Sequence, residues 1–115
     1  MERKPTYEEL AARVRTLETM LEDESRVVQW KILGLLAEAW DRDGPPGIVE
    51  NRDLAKALHL GTAAVAVALK TLWTLGITDH DTMGYASYLT PKGYAIAKGQ
   101  HRDIPLSEQV KNAKD

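Results

Sequence analysis

The sequence contains no cysteine and no phenylalanine, and its aromatic residues are three Trp and four Tyr. The absence of cysteine excludes a disulfide framework, a thiolate nucleophile and a Cys-ligated zinc site. Chains without disulfides are typical of the reducing cytosol. With 43% hydrophobic residues among 115, the chain nevertheless has enough apolar side chains for the core of one compact domain.

Long apolar runs are also missing. The longest run, Ala63–Leu69, has seven residues, whereas a membrane-spanning helix needs about 20. The first residues, MERKPTYEEL, lack the apolar stretch of a signal peptide. The sequence therefore predicts a cytoplasmic protein without a membrane partner.

An excess of positive charge is absent as well. The chain has 15 Lys and Arg against 17 Asp and Glu, which gives a net charge of −2, and its pI is about 5.9. A domain that binds nucleic acid often has a pI above about 9. Any basic surface must therefore be local, which counts against strong nucleic-acid binding.

The stretch Asn51–Gly76, NRDLAKALHLGTAAVAVALKTLWTLG, predicts two helices joined by a tight turn. We expect the first helix over Arg52–Leu58, with Asn51 as its N-cap, and the second over Thr62–Leu75, capped by Thr62. Two helices joined by a short turn with Gly form the helix-turn-helix motif. The second helix of that motif commonly enters the DNA major groove.

The segments around the motif complete a mainly α fold with a small β-hairpin. The apolar stretch Val27–Trp40 predicts a central core helix, in which Gly34 is expected to permit close helix packing. Two short strands are predicted at Ile77–His80 and Tyr85–Leu89. Thr90 and Pro91 then begin another helix, as N-cap and first helical residue.

The N-terminal stretch carries an apolar seam. Thr6 and Glu9 have the capping-box spacing that begins a helix. The seam residues that follow recur at alternating spacings of three and four, a 3.5-residue period typical of the a and d positions of a coiled coil. They are Tyr7, Leu10, Val14, Leu17 and Leu21. The next d position is Glu24, where the seam ends. We expect a homodimerisation helix; the alternative is a helix folded back on its own domain.

The predicted order of helices and hairpin is that of a winged helix-turn-helix domain. Three stretches, LAKALHLG at 54–61, LGI at 75–77 and YLTPKGY at 88–94, together resemble bacterial winged-helix transcription regulators of the MarR-like type over residues 27–99. The implied organisation is an N-terminal dimerisation helix at 1–26, the winged helix-turn-helix domain at 27–99 and a polar tail at 100–115. The stretch PTYEELAARVRTLE also resembles linker coiled coils of bacterial signalling proteins.

The resemblance implies a regulator of transcription that binds double-stranded DNA as a homodimer. In that family the second helix of the motif enters the major groove, and the hairpin wing lies along the backbone or the minor groove. Carried over to this chain, the DNA-contacting residues are Arg52, Thr62, Ala63, Ala66, Lys70, His80 and Thr82.

The same surface departs from the family pattern, so protein contact is the alternative. Base readout uses mainly polar and charged side chains, and the groove face offers only Thr62 and Lys70. The wing has Asp79 and Asp81 but no Lys or Arg, and phosphates repel carboxylates. The rest of the face is Ala63, Ala66 and Val67. Such a face suggests burial against a partner protein, or under the domain's own terminal helices, as the alternative to DNA binding.

No pattern indicates catalysis, a cofactor or a metal. The sequence lacks a P-loop, a Gly-rich nucleotide turn, G-x-S-x-G and paired His at metalloprotease spacing. Asp79-His80-Asp81 would alternate between the two faces of a strand and cannot converge on one ion. Tyr85, Tyr88 and Tyr94 are expected to pack the wing against the helices, and Trp73 to join the core or a dimer interface. We expect a protein that is not an enzyme.

Overall fold

A computed structural model describes residues 6–113, of which 16–23 are described by their backbone alone. The helices are α1 (Tyr7–Asp43), α2 (Asn51–Leu58), α3 (Thr62–Thr74), α4 (Pro91–Gly99) and α5 (Leu106–Asn112), and the strands are β1 (Val49–Glu50), β2 (Thr78–His80) and β3 (Ala86–Leu89). The predicted mainly α winged helix-turn-helix fold is confirmed. Within the described residues, no single helix is long and apolar enough to cross a membrane; α2 and α3 reach that length and composition only as a pair bent by 115°.

The N-terminal helix α1 is one continuous helix of 37 residues. It begins at the predicted capping box, in which Thr6 Oγ1 accepts from the Glu9 amide at 3.2 Å and Glu9 Oε2 accepts from the Thr6 amide at 3.4 Å. It then passes without a break across the boundary predicted between residues 26 and 27. The sequence at that boundary, EDESR, contains neither Gly nor Pro, so nothing in it interrupts a helix.

The core forms where the C-terminal half of α1 packs against α2, α3, α4 and β3. Ile32, Leu33 and Leu36 of α1 are fully buried, and so are Val65 and Leu72 of α3. Burial of each such side chain stabilises the fold by roughly 1.5–3 kcal/mol. The central core helix predicted over residues 27–40 is therefore confirmed, although it forms only part of α1.

Three antiparallel strands in the order β1-β3-β2 form the sheet. The predicted hairpin is the β2–β3 pair, in which Thr78 lies opposite Leu89 and His80 opposite Ser87. The short strand β1 adds to the other edge of β3, with Val49 opposite Ser87. The wing thus contains a third strand, which comes from the segment between α1 and α2.

A polar cluster around Asp41 fastens α4 to the end of α1. The Tyr94 hydroxyl donates to Asp41 Oδ1 at 2.5 Å, and Lys98 Nζ lies 2.9 Å from Asp41 Oδ2. The hydrogen bond from Tyr94, with that from Lys98, holds the pKa of the Asp41 carboxyl below its usual value. The Tyr94 ring also stacks on Trp40, with 4.4 Å between the ring centroids. Tyr94, predicted to pack the wing against the helices, instead packs α4 against α1. The charge of Lys98 is used within the fold.

Two glycines in helices differ sharply in the space around them. Gly93 in α4 lies against the turn before β2, where an added Cβ would approach the Ile77 carbonyl oxygen to 1.9 Å. Gly34 in α1 is exposed, and an added Cβ would meet no atom within 4 Å. The prediction that Gly34 permits close helix packing is therefore wrong. The helical position that requires glycine is Gly93.

We predict that Gly93→Ala lowers the free energy of unfolding by about 2–3 kcal/mol, because the new methyl group overpacks a backbone contact that cannot shift freely. The control, Gly34→Ala, should instead raise the free energy of unfolding by up to about 1 kcal/mol through helix propensity. Urea denaturation of both variants measures the two changes. Equal effects at the two positions would contradict the contact at Ile77.

Candidate nucleic-acid interface

One face of α3 is open to solvent. Val65, Ala68, Leu69 and Leu72 are buried on the core side. The opposite side carries the predicted groove-face residues, all of them exposed: Thr62, Ala63, Ala66, Val67 and Lys70. Val67 is 67% exposed. The alternative in which the domain's own described helices cover this face is therefore wrong.

Both helices of the motif begin without a side-chain cap. The N-cap residues are Glu50 for α2 and Gly61 for α3, and neither makes a capping hydrogen bond through a side chain. Asn51 and Thr62, predicted as caps, are instead the first residues of their helices. The first backbone N–H groups of a helix carry the positive end of its dipole and can donate to an anion. Two uncapped N-termini therefore lie at the candidate interface.

The Asn51 side chain holds the wing against α2 rather than capping it. Its Nδ2 donates to the Gly84 carbonyl at 3.1 Å, and its Oδ1 accepts from the Ser87 hydroxyl at 2.8 Å. The Asn51 amide also donates to the Tyr85 carbonyl at 2.8 Å. These three bonds set the position of the wing tip relative to the motif.

Two grooves lie beside α3, one at its N-terminus and one along its middle and C-terminal half. The first has a volume of about 430 Å³ and lies between the starts of α2 and α3 and the wing tip; its lining includes Arg52 and Thr62. The second, of about 350 Å³, lies between α3 and the wing strands; its lining includes Ala66, Lys70 and His80. The structure thus divides these predicted contacts between two adjacent grooves. Ala63 and Thr82 are exposed but line neither groove.

The charges at this surface are largely compensated. Arg52 Nε lies 2.6 Å from Glu50 Oε2, so the cation predicted to contact phosphate already has a carboxylate partner. Lys70 is exposed, and no ion pair of Lys70 occurs among the side chains that the structure describes. Lys70 is the one Lys or Arg in α3, and its charge is available to a ligand.

The wing carboxylates take part in the turn itself. Asp81 Oδ1 accepts from the Tyr85 amide at 2.8 Å and from the Ala86 amide at 3.3 Å. Asp79 Oδ1 accepts from the His80 amide at 2.8 Å. The acidity of the wing, which the sequence shows, therefore has a structural cause: both carboxylates bind backbone N–H groups of the hairpin.

No group of three metal-ligating side chains occurs among the described residues.

Large apolar side chains at this surface are the residues that the sequence reasoning missed. Trp73 is 50% exposed and Tyr85 is 69% exposed, so packing of Tyr85 against the helices is a wrong prediction. The Trp73 ring lies against the His80 ring, with 5.3 Å between centroids. The position of Trp73 on this face could have been predicted from the sequence. Ala66, Lys70 and Trp73 follow one another at helical spacings of four and three, so they must share a face.

The described part of the N-terminal seam is exposed. Tyr7, Leu10 and Val14 are 86%, 46% and 52% accessible to solvent. Leu17 and Leu21 belong to the stretch 16–23, which lies outside the described side chains. The alternative in which this helix folds back on its own domain is wrong for residues 7–14, because no part of the described chain covers them.

Comparison with known proteins supports the fold. No model of a known protein family matches the chain, and no curated protein matches it. Among solved structures, the chain is similar to ZitR of Lactococcus lactis. A double mutant of ZitR in the apo form is 24% identical over 97% of this chain and 86% of that one, with a TM-score of 0.51.

The chain has the fold of ZitR. A second structure of the same ZitR double mutant is 22% identical over 92% of this chain and 86% of that one, with a TM-score of 0.50. A candidate transcriptional regulator protein from Pseudomonas aeruginosa PA01 is 22% identical over 94% of this chain and 77% of that one, with a TM-score of 0.45. At these identities the ZitR structures show the architecture of the chain, not its ligand or its activity.

We predict that Asn51→Ala loosens the wing. Removing two side-chain hydrogen bonds should lower the free energy of unfolding by about 1–2 kcal/mol and should speed amide hydrogen exchange at Gly84 and Tyr85. Asn112→Ala, at the exposed end of α5, is the matched control and should change neither quantity. If the wing amides exchange equally fast in both variants, Asn51 does not hold the wing.

Proposed function

We propose that the chain is a MarR-like regulator of transcription that binds double-stranded DNA as a homodimer. One observation carries the proposal. In a winged helix-turn-helix fold, the uncovered face of α3, two uncapped helix N-termini and the wing tip surround adjacent grooves. Such an arrangement presents α3 to a DNA groove and backbone N–H groups to phosphates.

In this proposal α3 lies in the major groove. Lys70 and Thr62 supply polar contacts to base edges or phosphates, and Ala63 and Ala66 contact thymine methyl groups. The Arg52 side chain contacts the DNA backbone, as do the first-turn N–H groups of α2 that follow Asn51, whose own amide donates to Tyr85. His80 and Thr82 bring the wing to the neighbouring phosphates. Because few of these groups read bases, recognition depends largely on backbone contacts and on DNA shape.

The charges limit how strongly such a dimer binds. The cations of the motif are Arg52, Lys56 and Lys70, and all are exposed. If all three contacted phosphate in both subunits, the logarithm of the binding constant would fall with the logarithm of salt concentration with a slope of about −5. The Glu50 partner of Arg52 reduces this dependence further. The proposal therefore requires binding that is measurable at low salt and weak at physiological salt.

The test is retention of genomic DNA fragments as a function of salt concentration. We predict that Lys70→Ala reduces the magnitude of the salt slope by about 2, one phosphate contact for each subunit of a dimer. Lys111→Ala in α5 removes the same charge away from the motif and should leave the slope unchanged. Glu50→Gln should strengthen binding, because it frees the Arg52 guanidinium for phosphate. Absence of retention by the native chain at low salt would refute DNA binding.

Homodimerisation is proposed through the exposed seam of α1. We predict that Val14→Glu converts the dimer to a monomer, since it places a charge in the apolar interface. Val27→Glu makes the same substitution in the same helix, outside the seam. Because Val14 and Val27 are both 52% exposed, the two variants add a charge at equally accessible positions of α1. Light scattering of the full chain measures the mass; identical masses for the two variants would argue against the seam.

A second function, a winged helix used for protein contact, is favoured by the apolar character of the same surface. Val67, Trp73, Met83 and Tyr85 are each at least 50% exposed. Aromatic residues and Met are enriched in protein interfaces. If this second function holds, a partner protein should co-purify with the native chain and with the Lys70→Ala variant but not with the Ala66→Glu variant. The native chain should then retain no DNA at low salt.

A further inference from the structure

A small cavity lies between α1 and the segment that joins α4 to α5. Its volume is about 180 Å³, and its lining consists of Arg26, Val27, Trp30, Lys31 and Arg102. None of these residues lines either of the grooves beside α3. The cavity is therefore separate from the candidate nucleic-acid interface.

Four of the lining residues share one side of α1. Arg26 and Trp30 are four positions apart, and so are Val27 and Lys31. Side chains at this spacing are neighbours on a helix surface. The cavity lies where α1 enters the core, since Trp30 is only 6% exposed and its three neighbours remain accessible to solvent. The helix therefore fixes two cations, Arg26 and Lys31, beside one buried indole.

Arg102 reaches the cavity from the opposite wall. Its guanidinium carbon lies 5.7 Å from the centroid of the Trp30 ring, in a cation–π contact. The backbone around Arg102 is held by α5, because Gln109 Nε2 donates to the His101 carbonyl at 2.7 Å and to the Ile104 carbonyl at 2.9 Å. A distant segment of the chain thus brings a third cation to the same cavity.

The three cations are not neutralised within the fold. Arg26, Lys31 and Arg102 are exposed, and none of them forms an ion pair among the described side chains, whose ion pairs lie elsewhere. Asp103, next to Arg102 in the sequence, pairs with none of them. The whole chain has a net charge of −2, so the positive charge at this cavity is a local excess. Such a cluster attracts an anion.

The indole of Trp30 adds a hydrogen-bond donor that lacks an acceptor. Among the described residues, its Nε1–H is the one buried side-chain nitrogen or oxygen group without a hydrogen-bond partner. An indole nitrogen can donate but cannot accept, and buried donors in folded proteins are nearly always paired. A negatively charged oxygen bound in the cavity would supply the missing acceptor.

The size and the donors of the cavity select the kind of anion. A volume of about 180 Å³ equals that of roughly six water molecules in the liquid, which is enough for one oxyanion with a short substituent. A carboxylate offers two oxygens and one charge, whereas a phosphoryl group offers three acceptor oxygens and a charge near −2. Two guanidinium groups, an ammonium and an indole N–H match the phosphoryl group better, because guanidinium forks bind phosphate oxygens in pairs.

We infer that this cavity binds a dianionic phosphoryl group, either free phosphate or the phosphate of a small monoester, through the three cations, with the Trp30 indole N–H as a fourth donor. The bound anion joins α1 to the segment between α4 and α5 and offsets the repulsion among the cations. The inference does not depend on the proposed binding of DNA, since none of the lining residues belongs to the motif or the wing.

The test is a titration of the isotope-labelled full chain with inorganic phosphate and, separately, with glycerol phosphate, followed through the indole N–H resonances of its three Trp. The Trp30 resonance should shift saturably with either probe. Those of Trp40 and Trp73, which do not line the cavity, should stay nearly constant. Acetate should bind at least about tenfold more weakly, because it has one charge and two oxygens. Whichever phosphate binds more tightly identifies the source of the ligand.

Two pairs of variants locate the site. Arg102→Gln should raise the dissociation constant for phosphate by about tenfold, since charge-assisted hydrogen bonds are lost. Lys111→Gln removes the same charge from the exposed end of α5 and should leave the constant unchanged. Val27→Glu places a carboxylate in the cavity and should abolish saturable binding. Val14→Glu makes the same substitution at an equally exposed position outside the cavity and should bind phosphate as the native chain does.

Other outcomes would overturn the inference. Equal losses in Arg102→Gln and Lys111→Gln would mean that phosphate responds only to overall charge. A shift confined to the Trp73 resonance would place the anion at the grooves beside α3. Acetate binding as tight as that of phosphate would remove the assignment to a phosphoryl group. Absence of saturation by both phosphate probes at tens of millimolar would show that the cluster is a solvated surface.

Discussion

The burial of one half of a single helix is the constraint on which the rest of the structure depends. Ile32, Leu33 and Leu36 anchor α1 among α2, α3, α4 and β3, and the remainder of the same helix continues away from this anchor. At 1.5 Å per residue, the 37 residues extend over about 55 Å, so the helix accounts for most of the 64 Å length of the chain. The core thereby fixes both the platform for the motif and the direction of the exposed seam.

The surface of the motif combines features that favour DNA with features that oppose it. Its two helix N-termini lack side-chain caps, and α3 is uncovered. At the same time Glu50 neutralises Arg52, and Asp81 lies in the wing because its carboxylate binds the turn amides. Electrostatic attraction for phosphate is therefore small compared with that of a basic domain, and shape, backbone donors and dimerisation must supply more of any affinity.

The position of the wing depends on contacts between distant parts of the chain. Asn51 binds the carbonyl of Gly84 and the hydroxyl of Ser87, and Gly93 lets α4 approach the Ile77 carbonyl. The first contact sets the wing against α2, and the second sets α4, the helix that follows the wing, against the residue that precedes β2. Asn51 and Gly84 line both grooves beside α3, so the first contact affects the shape of these grooves directly. A small change at Asn51 is therefore expected to alter the interface without touching α3.

The sequence by itself determined the elements that depend on near neighbours. Helical spacing of apolar residues located the core part of α1 and the buried side of α3. Thr90 and Pro91 located the start of α4, and Gly76, with its φ of +77°, marked the end of α3. These signals are local, because capping, helix period and positive φ involve residues within a few positions of each other.

Only the tertiary structure decided the features that join distant segments. The pairing of β1 with β3, the role of Asn51 and the requirement for Gly93 arise from contacts across more than a dozen residues, and no local pattern encodes them. The exposure of Trp73 likewise depends on which face of α3 the core leaves open. The sequence therefore identified a helix-turn-helix with a wing. The folded chain determined how its grooves are shaped, which of its charges are compensated and where its apolar surface remains uncovered.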